Sequence, residues 1–444
     1  MNTQRPEWND ANNALVGGGL SVVTLCYLRR ELAFLRGIVK DVAPVAEEVL
    51  VWMRATGKAL KLSDTQAVMD ALGESSSVYR KGIYENSFSG RKAELSVTEA
   101  LDFFDTALAV VEASIRANRR ADGLWHSYNL LELADGRFAG IRHLQEMLEG
   151  QVAVLSSGVL SSAEALQLLD ALRHSALWRE DQRSYMLYPN RELPGFLQKN
   201  NLPADAMKRS AALAEMVAKG ERAIVSRDRD GGLHWNGDFR NADGLKAALD
   251  KAGISGKQAG VVLDLFEETF DHKAFTGRSG TFFAYEGLGS IYWHMVSKLL
   301  VAVQECYFAA LDAGAPETAA LAAHYHEILE GTGIHKTARE YGAFPTDAYS
   351  HTPWGKGARQ PGMTGQVKED IICRFGELGV RVREGRVSIK PTLLSDSEFL
   401  PDGTLKFSYC GAQVTLHKGG RLELSEEASQ DLFARRLEEI NVTA

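Results

Sequence analysis

A chain of 444 residues is long enough for two or three domains and a sizeable buried core. Hydrophobic residues at 45% and charged residues at 24% are the proportions of a soluble globular protein, and a formal net charge of -8 excludes the broad basic face that non-specific nucleic-acid binding needs. Four cysteines (Cys26, Cys306, Cys373 and Cys410) are spread without metal-ligand spacing or disulfide-framework density, which points to a reducing cytoplasm.

The chain opens on RPEWNDANNALVGGG, in which Glu7 and Asp10 flank Trp8 and a run of asparagines. The following ALVGGGLSVVTLCYL (14–28) predicts a buried helix. It is too short to span a membrane, and acidic rather than basic residues precede it, so a buried helix is expected here rather than a signal sequence. Asp10 has two readings. Asp10 or Asn12 is well placed as the N-cap of that helix, and Asp10, beside an indole and amides, is equally placed to be held protonated as a general acid.

Helical periodicity then continues to about Gly376. LDFFDTALAVVEASIRANRR (101–120) ends in a basic cluster suited to a helix C-terminus, and SSAEALQLLDALRHS (161–175) opens as a capped N-terminus does. PADAMKRSAALAEMVAKG begins at Pro203 and ends at Gly220. Further helices are expected over 255–270, 290–314 and 316–331. Between them lie polar segments rich in glycine, proline and aromatics, at 184–200, 226–241 and 341–366. Their aromatic content argues against disorder, so helices in series joined by such loops predict a helical toroid with a site at one end. After Gly376 the pattern alternates, with turns at Glu384–Gly385, Cys410–Gly411 and Gly419–Gly420, and predicts a short antiparallel β module. SEEASQDLFARRLEEI closes the chain as an expected terminal helix.

Two further segments carry candidate chemistry. In RSGTFFAYEGLGSIYWHM (278–295), Glu286 and His294 stand at the mouth of a helix. They suit a sugar hydroxyl and an anion, or else a surface glutamate and a satisfied core histidine. In GKGARQPGMTGQVKED (355–370), Thr364-Gly365 before a helix offers a hydroxyl and a backbone N–H to an anion, or is simply a Pro-Gly turn. The P-loop order is absent. His324 and His326 fall on different faces of their helix, which argues against a zinc site there, with or without His335.

Taken in order, these segments resemble the inverting glycoside phosphorylases of glycoside hydrolase family ninety-four, the cellobiose and chitobiose phosphorylases, and their relatives acting on longer β-glucans. PEWNDANNAL is similar to the family's Asp-Trp-Asn-Asp motif, with Glu7 in the first acidic place; QVAVLSSG (151–158), EGLGSIYWH, FPTDAYSHTPWGKGARQPGMTG and LGVRVREGRVSIKPTLL resemble its later motifs. The chain departs from the pattern at Pro361-Gly362-Met363, where the family has an aromatic before the Thr-Gly.

The resemblance implies a mainly α fold: an incomplete (α/α)6 toroid over 1–376, then a small antiparallel β module over 377–444. It implies Asp10 as general acid, Trp8 and Glu286 as substrate-binding residues, and His294, Thr364 and Gly365 as the phosphate site. The implied reaction is reversible phosphorolysis of β-linked gluco-oligosaccharides to α-glucose 1-phosphate with inversion, without metal or cofactor, inorganic phosphate being the co-substrate. Because phosphate is itself an anionic nucleophile, one acid and an anion cradle replace the carboxylate pair of an inverting hydrolase. The alternatives are a related toroidal hydrolase or transglycosylase, or an inactive truncated or split-enzyme fragment. The resemblance also implies the C-terminal part of a longer enzyme, with apolar helix faces left exposed for an N-terminal companion chain or a homodimer. No nucleic-acid or membrane partner is expected.

Overall fold

The computed structural model describes residues 19–134, 138–190, 196–270, 291–332, 336–337, 349–352, 360–361 and 366–443. The described residues are about 53% helical, with small and mostly antiparallel sheets. It divides into two compact units at Gly150/Gln151, Met186/Leu187 and Gly289/Ser290. Among the described residues no helix is long and apolar enough to cross a membrane.

The first described elements are β1 (Gly19–Ser21) and α1 (Val22–Ile38). The Ser21 hydroxyl accepts the Thr24 amide at 2.9 Å, so Ser21 is the N-cap of α1; Asp10 and Asn12, the caps expected from the sequence, lie outside the described residues. The chain continues through β2 (Ala43–Ala46), α2 (Glu47–Leu60), α3 (Thr65–Asn86), β3 (Lys92–Leu95) and α4 (Val97–Arg116). Strands β2 and β3 pair antiparallel, so the α2–α3 hairpin leaves and re-enters its unit through one two-stranded strap. Helix α4 packs on α1 and α2, with Arg29–Glu112 at 2.8 Å, Arg54–Glu99 at 2.6 Å and Lys61–Asp102 at 2.8 Å along its flanks.

Within the stretch expected to be helical, β4 (Tyr128–Ala134) and β5 (Phe138–His143) instead form an antiparallel hairpin that joins β1 in a three-stranded sheet. The segment NLLELADGRFAGIRH alternates around an Asp-Gly pair, which is hairpin chemistry and outweighs the helical trend on either side.

Next come α5 (Leu148–Ser156), α6 (Ser162–Arg173), β6 (Trp178–Arg179), β7 (Ser184–Tyr185), α7 (Phe196–Lys199), α8 (Ala206–Arg209), α9 (Ala211–Ala218), β8 (Val225–Arg227), β9 (Leu233–Trp235), α10 (Ala242–Lys251) and α11 (Gly256–Phe270). Helix α6 starts as its sequence predicts: Ser161 and Glu164 form a reciprocal capping box. The expected helix over 203–220 is broken at Ser210, whose hydroxyl caps α9, and it ends before Gly220 at φ +73°. From Ala206 to Phe270 the chain has its own core, centred on Trp235 with Leu213, Ile224, Leu245, Val262 and Phe266. The indole meets Phe266 edge-on at 5.1 Å and donates to the Thr269 hydroxyl at 3.0 Å. Asn200 brackets the same residue, accepting its amide and donating to its carbonyl, both at 2.9 Å. The polar run 226–241 is therefore part of the β8–β9 hairpin of a packed subdomain, and its tryptophan is interior.

In the second unit, β10 (Ile291–Tyr292) leads into α12 (Trp293–Ala313), which is buried on nearly every face and ends at Gly314 in the left-handed region. Helices α6, α13 (Thr318–Gly331) and α14 (Gln366–Glu377) pack around α12; β11 (Tyr349–Thr352) and β12 (Gln360–Pro361) extend β10 into a sheet. The remainder is β13 (Val380–Arg383), β14 (Arg386–Ile389), β15 (Thr404–Tyr409), β16 (Ala412–His417), β17 (Leu422–Glu423), α15 (Glu426–Phe433) and β18 (Glu439–Val442). The expected turns at Glu384–Gly385 and Cys410–Gly411 are present, with positive φ at all four residues. The terminal helix is shorter than its sequence suggests. It stops at Ala434, Arg435 turns at φ +57°, and β18 then pairs parallel to β16.

Trp235→Ala is expected to cost about 3–5 kcal/mol, because it empties the centre of the 206–270 core. Hydrogen exchange should show lost protection concentrated in α9–α11 and β8–β9; uniform loss over the whole chain would mean that this core is not separate.

Candidate functional site

Of the predicted site residues, His294 lies among the described residues. Trp8, Asp10, Glu286, Thr364 and Gly365 lie outside them. His294 is in the first turn of α12, two residues after Tyr292 on β10. Three short strands set its surroundings. Ile291 and Tyr292 pair with Thr352 and His351, and His351 pairs in turn with Gln360. The segment expected to cradle an anion is thus flanked by β12 before Thr364 and by α14 after Gly365, and both flanking elements come to the start of α12 through β11 or directly.

Helix α14 places Glu369, Cys373 and Gly376 on one face, at spacings of four and three. At the first of these positions Glu369 is buried, and its Oε1 lies 3.3 Å from Nε2 of His294. On the other side of the ring the Tyr292 hydroxyl is 3.3 Å from Nδ1, its own ring meeting the imidazole edge-on. The other Glu369 oxygen, Oε2, is buried without a hydrogen-bond partner among the described residues. A buried acceptor of this kind wants a donor. Burial, and then the Lys298 ammonium one turn along α12, push the His294 imidazole below its ordinary value, while Glu369 pulls it back up. A neutral imidazole sharing its Nε2 proton with Glu369 leaves Nδ1 as an acceptor for the tyrosine hydroxyl.

The sequence singles out His294 but not Glu369. In QVKED the glutamate looks like part of a solvated charge run, and only its place on the stripe shared with Cys373 and Gly376 marks it as inward-facing. Of the other histidines noted in the sequence, His335 lies outside the described residues, and His326 meets the Tyr325 ring edge-on at 5.6 Å. His324 on α13 pairs with Asp170 of α6 at 3.0 Å, beside Arg173–Glu327 at 2.8 Å. Among the described residues no group of three or more His, Cys, Asp or Glu side chains is arranged to hold a metal ion.

Residues 193–273 match GH149 phosphorylase insertion domain 2. That span encloses the 206–270 core described above, so the match falls on a packed structural element. It relates the chain to a glycoside phosphorylase family, and it does not single out the cellobiose and chitobiose type. No curated protein matches the chain.

Glu369→Gln removes the carboxylate that favours the imidazolium, so the His294 pKa is expected to fall further. Because the folded-state value is already depressed, the stability that His294 contributes is present above the unfolded value of about 6.5 and is lost as pH falls below it. Titration of the His294 ring signals by NMR checks both; an unchanged or raised value in the variant would break the Glu369–His294 pairing.

Proposed function

We propose that the chain carries the phosphate side of an inverting glycoside phosphorylase, which converts a β-linked gluco-oligosaccharide and inorganic phosphate to α-glucose 1-phosphate. The observation that carries this reading is the match of residues 193–273 to a phosphorylase insertion domain. The His294–Glu369 pair, beside the elements that flank Thr364-Gly365, gives it local chemistry.

In this reading phosphate sits between the start of α12 and the Thr364-Gly365 segment. A bound dianion raises the affinity of the imidazole for a proton, and Glu369 shares the resulting charge through Nε2, as a carboxylate does behind a catalytic histidine. Nδ1 then turns from acceptor of the Tyr292 hydroxyl to donor toward phosphate. Asp10 protonates the departing glycosidic oxygen, and Trp8 and Glu286 hold the sugar. A displacement of this kind inverts the anomeric centre, so a β-linkage yields an α-phosphate. The proposed frame is an incomplete (α/α)6 toroid closed by the β module from residue 377 onward.

Sugar release from laminari-, sophoro- and cello-oligosaccharides should require phosphate and yield α-glucose 1-phosphate. Release that is unchanged without phosphate would mark a hydrolase or transglycosylase instead. Asp10→Asn should lower turnover by about 10²–10⁴-fold, the usual worth of a general acid, with the melting temperature unchanged. His294→Ala should raise the phosphate concentration needed for half-maximal rate more than it changes the oligosaccharide requirement. Equal effects on both would remove His294 from the phosphate site.

A further inference from the structure

His234 on β9 has a hydrogen-bond acceptor at each end of its ring. Its neighbours Leu233 and Trp235 pack into the subdomain core, so by strand alternation its own side chain is on the opposite face. There Nδ1 is 2.6 Å from the Asn200 carbonyl oxygen, and Nε2 is 2.9 Å from Oδ2 of Asp228. The second oxygen of Asp228 accepts the Asp230 amide at 2.9 Å and the Gly232 amide at 2.6 Å. The imidazole, and then these two amides, hold the Asp228 carboxyl below its ordinary range, so it stays an acceptor. A backbone carbonyl is an acceptor too. A neutral imidazole has one N–H and would turn a lone pair on one of these oxygens; the imidazolium, with two, satisfies both. Gly232 keeps the place open, since a Cβ there would lie 2.7 Å from Oδ2 of Asp228 and 3.2 Å from Nε2 of His234.

The second proton does its work where the chain enters the subdomain. The Leu202 amide donates to the Leu233 carbonyl at 2.9 Å, and the Asn200 carboxamide brackets the backbone of Trp235. Three consecutive residues of β9 thus hold the segment 200–202, and the middle one holds it through a ring N–H. The charges around the ring come from three elements. Across the hairpin His234 is in register with the uncharged Ser226, beside Arg227. The turn contributes Asp228, Arg229 and Asp230, and Lys199 precedes Asn200. Of these, Asp228 acts on the ring: its hydrogen bond, and then that to the Asn200 carbonyl, raise the proton affinity of His234 against partial burial.

We infer that His234 is a proton-operated latch, which as the imidazolium fastens the entering segment 200–202 to the β8–β9 hairpin and on losing its second proton lets that segment go. The core around Trp235 stays folded when the latch opens. Because the folded-state value is raised above the unfolded value of about 6.5, the latch is closed below that value and opens as pH rises through the folded one. The latch is independent of the reaction proposed above.

The test is hydrogen exchange on the full chain from about pH 6 to about pH 9, beside NMR titration of the His234 ring. Protection of the Leu202 amide, corrected for the intrinsic rise of exchange with pH, should fall by about tenfold or more across the ring's own midpoint, while amides of α10 and α11 keep theirs. Asp228→Asn should bring the midpoint down toward the ordinary value and move the opening with it. His234→Gln should remove the pH dependence of the Leu202 amide. A wild-type midpoint at or below the ordinary histidine value would overturn the inference, as would an exchange transition that does not coincide with it; neither comparison needs a variant. An opening that stays in place when Asp228→Asn moves the midpoint, or that persists in His234→Gln, would do the same.

Discussion

Gly376 has no side chain, and helix α14 lies against α12 at that residue. A methyl group there would overlap the carboxamide of Gln304, which donates to the Cys373 carbonyl at 2.9 Å and to the Tyr325 hydroxyl at 3.3 Å. Tyr325 in turn donates to Glu377 at 2.7 Å. These bonds tie α12, α13 and α14 together at depth, where an unpaired amide or phenol would cost on the order of 1–3 kcal/mol. Burial and the neighbouring carboxylate both push the Tyr325 hydroxyl well above the ordinary phenol range, so it remains a donor. The close approach fixes the angle at which α14 runs back along α12. Two turns toward its N-terminus, that angle sets Glu369 against His294.

The candidate site is therefore held by packing far from its polar atoms. The ring of His294 is located by the strand pairing of Tyr292 on one side and by the α12–α14 contact on the other. Such an arrangement suits an anion site, because the ligand is met by groups already ordered and does not have to order them. Glu369 lies behind the imidazole, its Oε1 3.3 Å from Nε2, in the position that the carboxylate of a catalytic triad takes toward its histidine.

Features written in short local codes were legible in the sequence. Ser161 with Glu164 announced the start of α6, Gly220 the end of α9, and Glu384–Gly385 a tight hairpin, since each works through bonds within a few residues. His294 was legible as a candidate because it follows a glycine-rich stretch at a helix mouth. What escaped depended on partners distant in the chain. The β4–β5 hairpin is completed by β1, more than one hundred residues earlier, and β18 gains its role only by pairing in parallel with β16. Glu369 carries no mark in its own neighbourhood, and its burial is decided by Gly376 and Gln304. Ser21 holds the amide of Thr24 at the start of α1, while Asp10 lies outside the described residues.

The subdomain around Trp235 has a further consequence. Asn200, where the chain enters, grips the backbone of that tryptophan, and Phe266 and Thr269, where the chain departs, grip its indole. Arrival and exit thus meet at one residue, as two leads meet in a socket. A body whose entering and leaving segments meet can be lengthened, shortened or exchanged through evolution at little cost, since loop closure grows only with the logarithm of what is looped out. Variation among relatives is then expected to accumulate beyond the socket, while the residues that form it hold still.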